Sequence, residues 1–129
     1  MTKGLSYLTI VSLLAVGGCS STDPSTVGLA GTWLATVNAL GIATMNLTMT
    51  ERNSEVTGSG QWIAVEGGAS RTVTIQGLHF GVDLNFVLRF ATSTGTAEYS
   101  TQGRVEDEST FHLVFPVEAS PKRVDFVRQ

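Results

Sequence analysis

The chain has 129 residues, a formal net charge of −3 and an apolar content of 42%. That is enough apolar material for one packed domain and too much for a disordered chain. The acidic balance, with no basic stripe, argues against nucleic acid as a partner and against electrostatic docking to a membrane surface.

Residues 1–18 carry the three parts of an export signal: Lys3 as a positive start, an apolar centre from Leu5 to Val16, and small residues before a cut. The centre is shorter than the roughly 20 apolar residues a bilayer span needs, which makes a transmembrane helix the weaker reading. Cys19, the single cysteine, has no partner for an internal disulfide. The run Val16-Gly17-Gly18-Cys19 resembles the lipobox of bacterial lipoproteins. That resemblance implies a diacylglycerol on Cys19, which becomes the mature N-terminus and a membrane anchor. Ser20 in the next position implies sorting to the outer membrane of a Gram-negative envelope, or retention at the cell membrane where no outer membrane exists. An ordinary signal peptide with an incidental cysteine is the competing reading.

Losing the leader removes Lys3, leaving seven of the eight basic residues against eleven acidic ones. Residues 19–29 then read as the lipidated cysteine and a flexible Ser/Thr-rich tether containing Asp23 and Pro24. Residues 30–129 form the remaining domain.

Within that domain turn clusters recur roughly every 8 to 12 residues, the spacing of an all-β sandwich or barrel. They fall at Asn38–Gly41, Arg52–Ser54, Glu66–Ala69, His79–Gly81, Ser93–Gly95, Asp107–Ser109 and Ala119–Pro121. The eight runs between them alternate apolar and polar residues. Their apolar rows are Trp33, Ala35 and Val37; Met45, Leu47 and Met49; Val56, Gly58, Gly60, Trp62 and Ala64; Val73 and Ile75; Leu84, Phe86, Leu88 and Phe90; Ala97, Tyr99 and Val105; Phe111, Leu113, Phe115 and Val117; and Val124 and Phe126. One apolar and one wet face per strand is an antiparallel pattern. Eight short-linked strands predict an antiparallel up-and-down β-barrel closed on itself, with a β-sandwich as the alternative.

Gly31-Thr32-Trp33 at the head of the first run resembles the Gly-x-Trp motif of lipocalins, avidins and related calycin barrels. The resemblance implies a tryptophan that plugs one barrel end, with a basic residue of the last strand packed across it. Arg128 lies on the parity of Val124 and Phe126 and suits that role; Arg123 is second. The chain has only Trp33 and Trp62, so an avidin-type biotin site is not carried over. Leu29–Trp33, Asn46–Thr50, Val56–Trp62 and Phe126–Gln129 together resemble small bacterial lipoproteins with a barrel-like pattern, a family to which no activity attaches.

Catalytic signatures are weak. His79 and His112 read as solvated surface histidines, the first in a turn and the second on an outer strand face, and no cluster has zinc-ligand spacing. There is no Gly-x-Ser-x-Gly elbow. Glu106 and Glu108 read as a solvated acidic turn rather than a glycosidase pair. Gly58 and Gly60 read as a corner where a barrel strand coils. No enzyme activity, metal or cofactor is expected.

The functional promise lies in the apolar face. Met45, Met49, Trp62, Phe86, Phe90, Phe111 and Phe115 are candidates to line a site for a small apolar ligand, with Tyr99 as its orienting polar group. The competing reading is that the same side chains simply fill the barrel. Two functions follow: a membrane-anchored envelope lipoprotein, monomeric, that binds a small apolar molecule; or an envelope protein-binding or inhibitor module with a filled core.

Overall fold

Alternation becomes strand in all eight places. The computed structural model describes residues 23, 26–117 and 120–129; the leader, Cys19 and most of the tether lie outside them. The strands are β1 (Gly31–Ala39), β2 (Ile42–Arg52), β3 (Glu55–Ala64), β4 (Arg71–Phe80), β5 (Asp83–Thr92), β6 (Gly95–Asp107), β7 (Thr110–Phe115) and β8 (Lys122–Arg128). Each pairs antiparallel with the next. β8 also pairs with β1, through Trp33 with Arg128, Leu34 with Val127 and Ala35 with Phe126. The sheet is therefore a closed barrel, and the sandwich alternative falls because the first and last strands are neighbours.

Two-residue turns of right-handed twist make the hairpins short. Asn53 and Ser54 both have positive φ, at 53° and 70°, which is the backbone a two-residue hairpin between right-twisted strands requires. Leu40 takes the same conformation at φ 60° before Gly41. A left-handed leucine costs about 1–2 kcal/mol, held here because Leu40 packs against the core.

Every inward row ends in the core. Trp33, Leu47, Val56, Val73, Leu88, Phe111, Leu113, Phe115 and Phe126 are all fully excluded from solvent. A void able to hold a water beside any of them would leave them accessible, so the barrel axis is packed with side chains. Burying one ring such as Phe111 stabilises the fold by about 1.5–3 kcal/mol. Its stacking on Phe126 at 4.7 Å and edge contact with Trp33 at 4.7 Å add about 0.5–1.5 kcal/mol per pair.

Inward glycines let the wall bend. A Cβ on Gly60 would lie 1.8 Å from the carbonyl oxygen of Asn46, and one on Gly58 would lie 2.5 Å from that of Thr48. β2 and β3 approach too closely there for any side chain on the inner face, as expected of a coiled barrel corner.

Candidate functional site

The two barrel ends are built from the same residue pair and finished differently. At one end β1 begins, and the β2–β3, β4–β5 and β6–β7 turns lie around it. Here Trp33 and Arg128 are cross-strand partners, and the guanidinium lies over the indole at 4.3 Å from the ring centroid. Arg128 Nε donates to the Glu108 carbonyl, Nη1 to Ala30 and Nη2 to Gly28, each at 2.8 Å. Trp33 Nε1 donates to the Leu29 carbonyl at 3.0 Å. Val27 and Leu29, from the segment before β1, are buried beneath it. This end is sealed, with Arg128 in the role expected from the calycin resemblance. Arg123 instead faces outward and bonds Asp125 and Glu106.

His79 departs from expectation. It belongs to β4 rather than a turn, and it is buried rather than solvated. Its parity with Val73 and Ile75 turns it inward, and Glu51, on the inward parity of Leu47 and Met49, meets it. His79 Nδ1 lies 2.8 Å from Glu51 Oε2, while Nε2 lies 2.9 Å from the Gly81 carbonyl. A carbonyl only accepts, so Nε2 carries a hydrogen. Glu51 Oε1 accepts the Leu29 amide at 2.9 Å. The pair ties the segment before β1 to the barrel and leaves no ring nitrogen for catalysis.

Glu106 also departs. It lies in β6, not in a solvated turn, and accepts from Arg123 at 3.0 Å, with His112 Nδ1 at 2.8 Å. Glu108 lies in the following turn, so the two carboxylates do not form a pair. Asp107 caps that turn, accepting from the Ser109 amide and the Thr110 hydroxyl at 2.8 and 2.9 Å. Those bonds, the Ser109 amide first, hold its carboxyl below the ordinary value. The hydrogen bond that Arg123 donates to Asp125 raises its guanidinium further above the ordinary value. No three His, Cys, Asp or Glu gather as a metal site among the described residues.

The candidate ligand residues fall into two groups. Phe86 and Phe111 join Trp33 and Phe126 in one aromatic cluster, and Met49 pairs with Gly31 at the sealed end. Trp62, Phe90, Tyr99 and Phe115 form a second cluster toward the other end, with ring centroids 5.6–6.4 Å apart. Met45 is the cross-strand neighbour of Trp62. Tyr99 is only half-buried, and among the described residues no hydrogen bond engages its hydroxyl. Thr101, buried and bonded to the Phe86 carbonyl at 2.9 Å, is an inward polar residue the sequence reading passed over.

The second end is the mouth. Trp62 and Arg71 are cross-strand partners there, with the guanidinium 5.9 Å from the ring centroid. Trp62 Nε1 donates to the Ala91 carbonyl at 3.1 Å, and the ring is buried. Beside it lies a hollow of about 250 Å³ lined by Leu40, Ala64, Glu66, Gly67, Gly68 and Arg71, among others. A larger trough of about 450 Å³ runs outside the wall between β5, β6 and β7, past Val87, Val114 and Pro116. The mouth hollow is the smaller of the two and touches Trp62 of the second cluster, while the trough touches Phe86 of the first.

No protein-family model matches the chain, and no curated protein does. Among solved structures it is similar to mFAP1, a redesigned β-barrel bound to DFHBI, with a TM-score of 0.64 at 13% identity, over 84% of this chain and 100% of that one. The likeness is one of fold: a closed eight-stranded antiparallel barrel.

Proposed function

We propose that this protein is an envelope lipoprotein, anchored through Cys19, whose barrel binds a small planar or apolar molecule at its mouth. One observation carries the binding reading: the ends are unequal. The sealed end has its tryptophan buried, its arginine fully hydrogen-bonded and the segment before β1 folded beneath it. At the mouth Trp62 is buried too, but its arginine, Arg71, is exposed and not hydrogen-bonded among the described residues, an aromatic cluster lies behind the ring and a hollow opens beside it. Small-molecule sites take this form, an apolar concavity with few polar groups. A fold neighbour that binds a small ligand, DFHBI, supports the reading. The packed axis moves the ligand from the barrel interior to its rim.

The proposed role is binding; at His79 both ring nitrogens are engaged, with Glu51 and the Gly81 carbonyl. Native mass spectrometry tests it, on the chain exported with Cys19→Ser. A reproducible small added mass, lost on Trp62→Ala, is the expected result; a clean apo mass with every candidate ligand turns the search to protein partners. Membrane fractionation tests the anchor. The wild type should partition with membranes and Cys19→Ser should not.

The filled core favours a second reading, a protein-binding module of the envelope. Its surface would be the outer wall, where Phe80 is 57% exposed.

A further inference from the structure

We infer that the mouth half of β6 is an open sheet edge that takes up an extended peptide strand from another protein, held by the backbone of Thr96, Glu98 and Ser100. The inference deepens the protein-binding reading and rests on it, naming the surface and the form of the partner.

The barrel wall is not equally tall all round. β6 runs for 13 residues, while β7 beside it has 6 and β8 has 7. The β6–β7 ladder stops where Gln102 meets Val114. From Gly95 to Thr101, β6 keeps β5 as its partner and has no strand on its other side among the described residues. The sequence explains the stop. The same register carried on sets Pro116 opposite Ser100, and the β7–β8 register sets Pro116 opposite Pro121. Proline has no N–H to give to either neighbour, so both ladders end together.

Backbone parity fixes which groups are free. The Val105 amide donates to the Val82 carbonyl, on the β5 side. Alternation along a strand then turns the odd-numbered residues of β6 toward β5 and the even-numbered ones toward β7. Thr96, Glu98 and Ser100 therefore each direct an N–H and a C=O into the gap, and among the described residues no backbone bond meets them there. Another extended chain presents donors and acceptors at the matching spacing.

The inner row registers the missing neighbour. Thr101 and Val105 are buried, whereas Ala97 and Tyr99 on the same row are only half-buried. Height on the barrel does not account for this, because Phe90 and Leu88, directly opposite Ala97 and Tyr99, are buried. The trough of about 450 Å³ lies where β7 departs, with Ser100 on one bank and Pro116 and Pro121 on the other. A strand laid in the gap turns alternate residues inward over Tyr99 and outward beside Ser100. The fitting partner is thus an alternating peptide, apolar inside and polar outside. A second copy fits poorly. In the register that uses all three residues, two such edges meeting antiparallel set Glu98 against Glu98, a like-charge pair that opposes pairing.

The test uses the peptide acetyl-Lys-Thr-Val-Ser-Val-Thr-Lys-amide and a control of the same residues, N-methylated at the Thr, Ser and Thr positions that turn toward β6. Each is titrated into the chain exported with Cys19→Ser, and amide hydrogen exchange read by NMR gives the place of binding. In the free protein the Thr96, Glu98 and Ser100 amides should exchange fast, while those of Ala97, Tyr99 and Thr101, turned toward β5, are protected. The peptide should protect the three fast amides. The control should bind at least about tenfold more weakly, for the hydrogen bonds it cannot make. Ser100→Pro removes one donor from the edge and should weaken the peptide; if that variant fails to fold, the methylated control decides. Slow exchange of the three amides in the free protein overturns the inference, since the edge is then already covered. Protection that grows with protein concentration alone assigns the edge to a second copy and overturns it too. Equal binding of both peptides, with resonance changes on another wall, overturns the edge and leaves the protein-binding reading standing. Absence of binding by either peptide overturns both.

Discussion

Arg128 and Trp33 face one another across the seam between the first and last strands, and the arginine is held there by three carbonyls as well as the ring. Lysine keeps the charge but not the fork. Arg128→Lys should therefore lower unfolding free energy by about 2–4 kcal/mol, given roughly 1 kcal/mol for each hydrogen bond. Urea unfolding followed by tryptophan fluorescence measures it. Arg71→Lys at the mouth should move the same curve by less than about 0.5 kcal/mol. Equal losses at the two positions would contradict the division into clamp and free cation.

Glu51 holds two donors at once, the Leu29 amide and the His79 ring. Glu51→Ala should cost about 2–3 kcal/mol, because it leaves a buried imidazole short of a partner. The more specific readout is amide hydrogen exchange: Leu29 should lose protection well before the strands do. In the wild type, nitrogen-resolved NMR should find hydrogen on Nε2 of His79, the nitrogen that faces the Gly81 carbonyl.

Gly60 should accept no side chain. The added methyl of Gly60→Ala meets a β2 carbonyl at 1.8 Å, and only movement of the backbone relieves it. A loss above about 2 kcal/mol is expected, against the small gain that Gly→Ala brings at an unstrained site. Gly41→Ala makes the contrast: nothing lies within 4 Å, but φ is 76°, so its penalty is one of backbone alone and should be smaller.

Asp107 supplies a pH dependence of definite sign. Its carboxyl is held below its ordinary value of 3.8 by the Ser109 amide first and the Thr110 hydroxyl second. The folded state therefore releases this proton more readily than the unfolded state. The contribution is present in full above the ordinary value and disappears as pH falls through the folded one. A carboxyl carbon titration should place the Asp107 midpoint below 3.8, and Asp107→Asn should make the stability profile shallower on the acid side.

The strands are legible because apolar residues recur at every second position along most of their inner rows, a pattern that no helix produces. Trp33 and Arg128 were legible through a three-residue motif and one parity argument. The Glu51–His79 pair was missed, although parity placed both on inward rows at the same end. Gly81 beside His79 drew that residue into a turn, and polarity alone then suggested exposure. The mouth was less visible still. Arg71 shares the parity of Val73, but the Glu66–Ala69 turn before it separates it in sequence from the ring it covers. Only the pairing of β3 with β4 brings Trp62 and Arg71 face to face.

The seam has a consequence for how the chain becomes a barrel. Arg128 reaches Ala30 and Gly28 across sequence separations of 98 and 100 residues, while every other strand pair joins neighbours along the chain. Seven hairpins can form between strands that follow one another in the chain, yet none of them encloses anything. Closing a loop that long is the slow, entropically costly step. Until it happens, β1 and β8 present bare edges and the aromatic rows remain wet. The molecule thus has no stable half: the chain stays an open, sticky ribbon until its last strand arrives, and a single arginine then locks the circle.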